Sequence, residues 1–150
     1  MKHLVRKEGE TMNILVIDAQ GGGIGRQLIT KLLEKLPEAD IVAAGTNSMA
    51  TNAMIKAGAK RAATGENAIR YCASQAKIIT GPIGIIVANA MLGEISPAIA
   101  ESVGSSTAPK VLIPTAHCNT IIAGTKALPV KDSIEDAVDR IVRLYRGEEN

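Results

Sequence analysis

A continuous aliphatic run at Asn13–Asp18 is followed, after Ala19 and Gln20, by three glycines and then by an amphipathic helical pattern. A strand that is apolar on both faces is typical of the centre of a parallel sheet. After the glycines, apolar residues recur at helical spacing from Ile24 to Leu36, and Pro37 ends this pattern. The order of strand, glycines and helix predicts the start of a βαβ unit.

The same alternation continues along the chain. We expect further strands at residues 40–44, 60–63, 76–80, 110–113 and 120–123. Helices are expected at residues 48–57, 66–75, 97–103 and 134–145, the last behind a capping box at Ser133. Residues 83–92 are ambiguous between strand and helix, and their length and position favour helix. The pattern predicts an α/β fold, a Rossmann-like three-layer sandwich with a mostly parallel sheet.

Hydrophobic residues make up 46% of the chain but aromatic residues only 1%, with no Trp and no Phe. The core is therefore expected to be aliphatic, and stacking platforms for nucleic acid are excluded. A net charge of +2 gives no strongly basic surface, so neither nucleic acid nor a membrane is an expected partner. No apolar stretch is long enough to predict a transmembrane span.

Cys72 and Cys118 lie far apart without a CxxC spacing, so neither a disulfide framework nor a metal site is indicated. Two reduced thiols are typical of a cytoplasmic protein. Residues 1–11 contain no apolar run of the kind found in signal peptides, and Met12 directly precedes the first strand. We interpret residues 1–11 as an N-terminal extension or a misassigned start, and residues 12–150 as a single Rossmann-like domain.

The glycine cluster lies between the first strand and the first helix, which is the context of a phosphate-binding loop. Glycine lets the backbone approach a ligand closely, and free N–H groups at a helix start favour an anion. We predict that a nucleotide, a dinucleotide or another phosphorylated ligand binds here, at Gly21, Gly22, Gly23, Ile24 and Gly25. Two alternatives stay open: a turn used only for helix–strand packing, and a site for a different ligand.

Polar and small residues follow two other predicted strands. Thr46, Asn47 and Ser48 can hydrogen-bond a ribose or a phosphate, or can equally cap the next helix. Thr80 and Gly81 form either a second close-approach turn of the site or a plain turn. Ligands of open α/β sheets bind beyond the carboxyl ends of the strands, so we assign all five to the predicted binding site.

Candidate acid or base residues are few. His117 and Cys118 are neighbours, and in an extended segment they point to opposite faces, which argues against a Cys–His nucleophilic pair. His117 alone or Asp18 could act as acid or base. Asp18 and Glu94 could also pair as carboxylates, although a strand-end hydrogen bonder and a helix-terminal charge are the simpler interpretations.

The loop resembles the cofactor loop of short-chain dehydrogenases, Thr-Gly-x-x-x-Gly-Ile-Gly, with Ala19 standing where that pattern has its first Gly. Those enzymes use a Tyr-x-x-x-Lys pair, but Tyr71 is followed four positions later by Gln75, so their hydride transfer is not expected. Across residues 12–145, the segments ILVIDAQGGGIGRQLI, AAGTNSMATNAMIKAGA and VLIPTAHCN resemble a short bacterial family known as domain of unknown function 3842. That resemblance implies a Rossmann-like protein without indicating a substrate.

Three hypotheses follow. The first is a small protein that binds a nucleotide or another phosphorylated ligand at the glycine loop. The second is a non-catalytic, self-associating regulatory module, suggested by the many Ala, Ile and Gly residues at 78–125, and a homo-oligomer is expected in that case. The third is a small enzyme with His117 or Asp18 as acid or base.

Overall fold

A computed structural model of the chain describes residues 13–115 and 119–148. The predicted N-terminal extension at residues 1–11 lies outside the described residues. His117 and Cys118 lie outside them as well. The predictions made for these positions therefore stay predictions.

Five strands form one parallel sheet among the described residues, in the order β3-β2-β1-β4-β5. They are β1 (Asn13–Asp18), β2 (Asp40–Gly45), β3 (Arg61–Thr64), β4 (Ile78–Pro82) and β5 (Lys110–Ile113). The chain runs outward from β1 to β3 and then returns to the other side of β1 with β4. The strand order therefore reverses between β1 and β4, where open α/β sheets bind their ligands.

The helices cover both faces of the sheet. They are α1 (Gly23–Lys35), α2 (Ser48–Lys56), α3 (Glu66–Gln75), α4 (Pro97–Ser105) and α5 (Val130–Tyr145). Helices α1, α2 and α5 pack on one face, and α3 and α4 pack on the other. This arrangement confirms the predicted Rossmann-like three-layer α/β sandwich. No helix among the described residues is long and apolar enough to cross a membrane.

Alternate residues of β1 enter opposite halves of the core. Ile14 and Val16 pack against α1 and α5, whereas Leu15 and Ile17 face α3 and α4, and all four are at most 1% exposed. Burying one such side chain contributes about 1.5–3 kcal/mol. A strand that is buried on both faces fixes β1 at the centre of the sheet, as its continuous aliphatic run predicts.

The helix predicted at residues 83–92 is wrong for most of its length. A short 3-10 helix at Ile83–Ile86 is followed by turns. Asn89, Met91 and Leu92 have φ values of 65°, 57° and 57°. These left-handed conformations cannot continue a right-handed helix, and they are uncommon for residues other than glycine.

The strand predicted at residues 120–123 is wrong as well. Residues 119–129 form neither helix nor strand, and the chain turns at Gly124, which has a φ of 82°. The predicted cap at Ser133 is also wrong, since α5 begins at Val130 and Ser133 is a buried residue within it. Pro129 precedes the helix because its fixed φ suits a helix start and its missing N–H is not needed there. The fourth strand lies two residues later than predicted.

Candidate functional site

Three loops meet at the carboxyl edge of the sheet, beside the reversal between β1 and β4. They follow β1, β2 and β4, and a single side chain, Glu94, contacts the other two loops from the third. Most of the residues that the sequence assigns to a binding site lie on the first two loops. We call this region the edge site, and its geometry decides which of them reach solvent.

Asp18 ends β1 and faces inward beneath the glycine loop, where it is only 4% exposed. Its Oδ1 accepts the Ala19 N–H at 2.8 Å, and its Oδ2 accepts the Gly25 N–H at 2.7 Å. Asp18 therefore serves as a cap for α1, which has no side-chain cap at Gly22. The simpler interpretation of this carboxylate, as a strand-end hydrogen bonder, fits the geometry better than an acid or base role.

Burial raises the pKa of Asp18 above its ordinary value of 3.8. The hydrogen bonds from the N–H groups of Gly25, Ala19 and Ile24 act in the opposite direction, and the nearby charge of Glu94 raises the pKa further. Glu94 and Asp18 thus interact electrostatically without sharing a hydrogen bond. The alternative that the two carboxylates pair for acid or base work stays a prediction.

The glycines of the loop divide into two kinds. A Cβ at Gly22, whose φ is 71°, would lie 2.8 Å from the carbonyl oxygen of Ala50, and one at Gly25 would lie 2.6 Å from Sδ of Met54. These two glycines are needed for packing between α1 and its neighbours. The prediction that the Gly25 N–H faces a ligand is therefore wrong, because Asp18 accepts that hydrogen bond.

Gly21 and Gly23 are exposed, and a Cβ at either position would meet no atom within 4 Å. Within the described residues, their backbone N–H groups donate no hydrogen bond. Ile24 is partly buried and packs against the core beneath α1. The open part of the loop therefore consists of Gly21 and Gly23, which lie at and just before the positive end of the α1 dipole.

Glu94 connects the three loops of the edge site through hydrogen bonds to one carboxylate oxygen. Its Oε1 accepts hydrogen bonds from Thr46 Oγ1 at 2.7 Å, Asn47 Nδ2 at 2.7 Å and the Gln20 N–H at 3.0 Å. Its second oxygen makes no hydrogen bond to any described residue. Burial acts to raise the pKa of Glu94, but the three hydrogen bonds outweigh it and lower the pKa below 4.5.

Sequence reasoning did not assign Glu94 to the binding site. It lies more than forty residues from Thr46 and Asn47, and no spacing pattern connects them. The only available signal is its position after Gly93, in the loop that follows β4. This position indicates a role in the binding site only when it is known which strand ends are neighbours in the sheet.

Asn47 combines the two roles that the sequence left open. Its Oδ1 accepts the Ala50 N–H at 2.9 Å and caps α2, while its amide nitrogen reaches Glu94 and the carbonyl of Gln20. Thr46 is directed at Glu94. Ser48 is exposed in the first turn of α2. These three residues therefore lie at the edge site.

Thr80 and Gly81 do not line the edge site, contrary to prediction. Thr80 is fully buried within β4, and its hydroxyl donates to the carbonyl of Val111 at 2.7 Å. Gly81 is buried too, and a Cβ there would overlap the carbonyl oxygen of Ile17. Gly81 permits close contact between β4 and β1, which is a packing role.

Metal ligands are not grouped at this edge. Among residues 13–115 and 119–148, no three His, Cys, Asp or Glu side chains are arranged to hold a metal ion. The edge site offers hydrogen-bonding groups: the open backbone N–H groups of Gly21 and Gly23, the Glu94 carboxylate, the hydroxyls of Thr46 and Ser48, and the Asn47 amide.

The fold and the edge site define a Rossmann-like α/β protein with a glycine loop at the point where its strand order reverses. The chain belongs to the family described as domain of unknown function (DUF3842), whose model matches residues 13–146. No curated protein matches the sequence. Among solved structures, the chain is similar to a dodecameric FMN-dependent UbiX-like decarboxylase from Escherichia coli O157:H7. The two are 16% identical with a TM-score of 0.50, over 92% of this chain and 96% of the other, so the likeness is one of fold.

Proposed function

We propose that the protein binds a nucleotide or another phosphorylated ligand at the edge site. The observation that carries the proposal is the open pair of backbone N–H groups at Gly21 and Gly23. Phosphate oxygens can accept hydrogen bonds from these N–H groups without displacing a hydrogen bond of the described fold. The site lies at the start of α1, where the helix dipole favours an anion.

The carboxylate of Glu94, held by Thr46 and Asn47, supports a ligand that carries hydroxyl groups beside its phosphate. Its free oxygen can accept a hydrogen bond from a sugar or polyol hydroxyl, as acidic residues do in dinucleotide sites. Thr46 and Asn47 fix the carboxylate in place. A phosphate at the glycines and hydroxyls at Glu94 together describe a phosphorylated sugar or sugar alcohol.

Charge limits where the phosphate can lie. The Asp18 carboxylate occupies the inner side of the loop, so a phosphate there would meet a like charge in a buried setting. The proposed phosphate position is therefore the outer, solvent side of Gly21 and Gly23. Flavin mononucleotide carries a phosphate on a sugar alcohol. It is the first ligand to test, because the similar decarboxylase is FMN-dependent.

Isothermal titration tests the proposal with flavin mononucleotide, AMP, NAD, NADP, coenzyme A and inorganic phosphate. The test variant is Gly23→Ala, which adds a methyl group to open space and leaves the fold intact. The matched control is Gly104→Ala, at the far end of α4, where a Cβ is equally unobstructed. We expect at least tenfold weaker binding by Gly23→Ala only. No binding by any ligand, or equal binding by both variants, contradicts the proposal.

A second candidate function, a self-associating module, has its own support. Exposed large apolar side chains are concentrated at residues 121–130, and the similar decarboxylase is dodecameric. We infer that the protein forms a homo-oligomer, whether or not it binds a ligand, and that it acts in the cytoplasm. Light scattering of the ligand-free protein tests the oligomer, and a monomer at all concentrations contradicts it.

A further inference from the structure

Within residues 13–115 and 119–148, strand β5 lies at one edge of the sheet and pairs with β4 alone. Natural edge strands are commonly protected from pairing by an outward lysine, by proline or by short length. Pro109 and Pro114 bound β5 and restrict any pairing to its four residues. Its lysine gives no such protection, because Lys110 Nζ is turned back onto the carbonyls of Ser106 and Ala108 at 2.6 and 3.2 Å.

A cavity of about 590 Å³ runs along this edge. We call it the edge groove, and its walls include Val111, Leu112, Ile122, Leu128, Arg140 and Leu144. Its lining comes from β5, from α5 and from the chain's own loop at residues 122–128.

The charged residues that line the edge groove are Lys110, Lys126, Asp136 and Arg140. Arg140 pairs with Asp136 at 2.9 Å one turn away on α5, and Lys110 Nζ donates to backbone carbonyls. The groove therefore carries a net positive charge on a mostly aliphatic lining. Its walls are largely aliphatic, so its natural occupant is an apolar chain segment.

The same protein carries such a segment. Residues 119–129 form neither helix nor strand and are exposed throughout. Of the nine exposed large apolar side chains in the described residues, four lie within residues 121–130. Ile122 and Leu128 reach the edge groove of their own chain, but Ile121 is 95% exposed and faces away from it. Residues 120–123 are also rich in the β-branched side chains that favour strands.

Resting on the homo-oligomer inferred above, we propose that two copies of this chain associate through the edge groove, with residues 119–123 of each copy packing against β5 of the other. The chain contains both halves of the contact, a sheet edge that no described strand covers and, beside it, an exposed segment rich in β-branched residues. A two-fold axis lets each half meet its complement in the partner, as in an isologous dimer. Ile121 becomes buried, and the open edge of β5 is covered.

The test is sedimentation velocity on ligand-free protein between about 1 and 200 μM. We expect a dimer, or a larger closed assembly built from dimers, for the parent chain. Ile121→Glu places a charge in the proposed contact, and because the side chain is 95% exposed in one copy, the far-UV circular dichroism of the variant stays unchanged. It is expected to weaken self-association at least tenfold. Leu92→Glu is the matched control, since Leu92 is 99% exposed on a distant loop, and it is expected to associate like the parent.

Hydrogen exchange supplies an independent measurement. The amides of residues 120–123 and of β5 are expected to become more protected as protein concentration rises. A parent chain that stays monomeric overturns the proposal, as does protection of residues 120–123 that is independent of concentration, which would indicate pairing within one copy. Association that Ile121→Glu leaves unchanged also overturns it. None of these readouts depends on ligand binding at the edge site.

Discussion

The carboxylate of Asp18 accepts a hydrogen bond from the backbone N–H of Gly25 at 2.7 Å, which ties the end of β1 to the first turn of α1. The chain between them makes the glycine turn. An acidic side chain on the inner side of the loop fixes the helix start and leaves the outer side, with Gly21 and Gly23, to solvent. One residue thus provides a helix cap and determines which backbone groups a ligand can reach.

Replacing Asp18 by Ala is expected to lower the free energy of unfolding by about 0.5–2 kcal/mol, the usual cost of losing a helix cap. The N–H groups of Ala19 and Gly25 lose their acceptor in a buried setting. Urea denaturation measures the change. Asp132→Ala, at an exposed position in the first turn of α5, serves as the control and is expected to change stability by no more than about 0.5 kcal/mol. Equal stabilities of the two variants would argue against the capping role.

Gly22→Ala is expected to destabilise the fold by about 1–3 kcal/mol, while Gly21→Ala leaves it nearly unchanged. Gly22 has a φ of 71° and lies against the backbone of Ala50, whereas Gly21 borders open space. Thermal and urea unfolding compare these neighbouring substitutions directly. The division of the loop into packing and open glycines is wrong if both variants lose the same stability.

The charge of Glu94 is expected to raise the pKa of Asp18 in solution. Carbon-detected NMR titration of the Asp18 carboxyl measures this pKa, which we expect above 3.8 in the parent and lower in Glu94→Gln. Because the folded pKa is the higher one, the stability linked to Asp18 is complete below the unfolded value. It is lost as pH rises through the folded pKa. An unchanged pKa in Glu94→Gln would show that the two carboxylates do not interact.

Glu94 has the opposite linkage. Its pKa is lowered in the folded state, so its stabilisation is present above about pH 4.5 and is lost as pH falls through the folded pKa. At pH 7, Glu94→Gln is expected to unfold at a lower temperature than the parent, and this difference should shrink in acid. Glu101→Gln, at an exposed position on α4, is the matched control. A difference in Tm that is the same at pH 7 and pH 3 contradicts the role of the carboxylate charge.

The α/β architecture could be predicted because short sequence patterns indicate its strands and helices. The aliphatic run of β1 and the stripe of α1 each require only a few neighbouring residues, and their alternation fixes the fold class. Residues 83–92 and 120–123 contain strand- and helix-favouring residues, but their conformations depend on distant contacts. The left-handed Met91 and Leu92, for example, have no signal in their residue types.

The edge site was predictable only in part. The glycines and Thr46 follow strands directly, so their place at the carboxyl edge follows from the fold. Thr80 was assigned to the site because the end of β4 was placed two residues too early, and this small error moved a core residue to the surface. Glu94 could be assigned to the edge site only once the structure showed which three loops lie next to one another.

Backbone NMR during a titration with flavin mononucleotide tests the proposed binding site most directly. If the ligand binds at the edge site, the amide resonances of Gly21 and Gly23 shift most, followed by those of Gln20 and Asn47. The amides along β5 are expected to stay in place. No shift at saturating ligand, or shifts confined to the edge groove, would contradict phosphate binding by the glycine loop for this ligand.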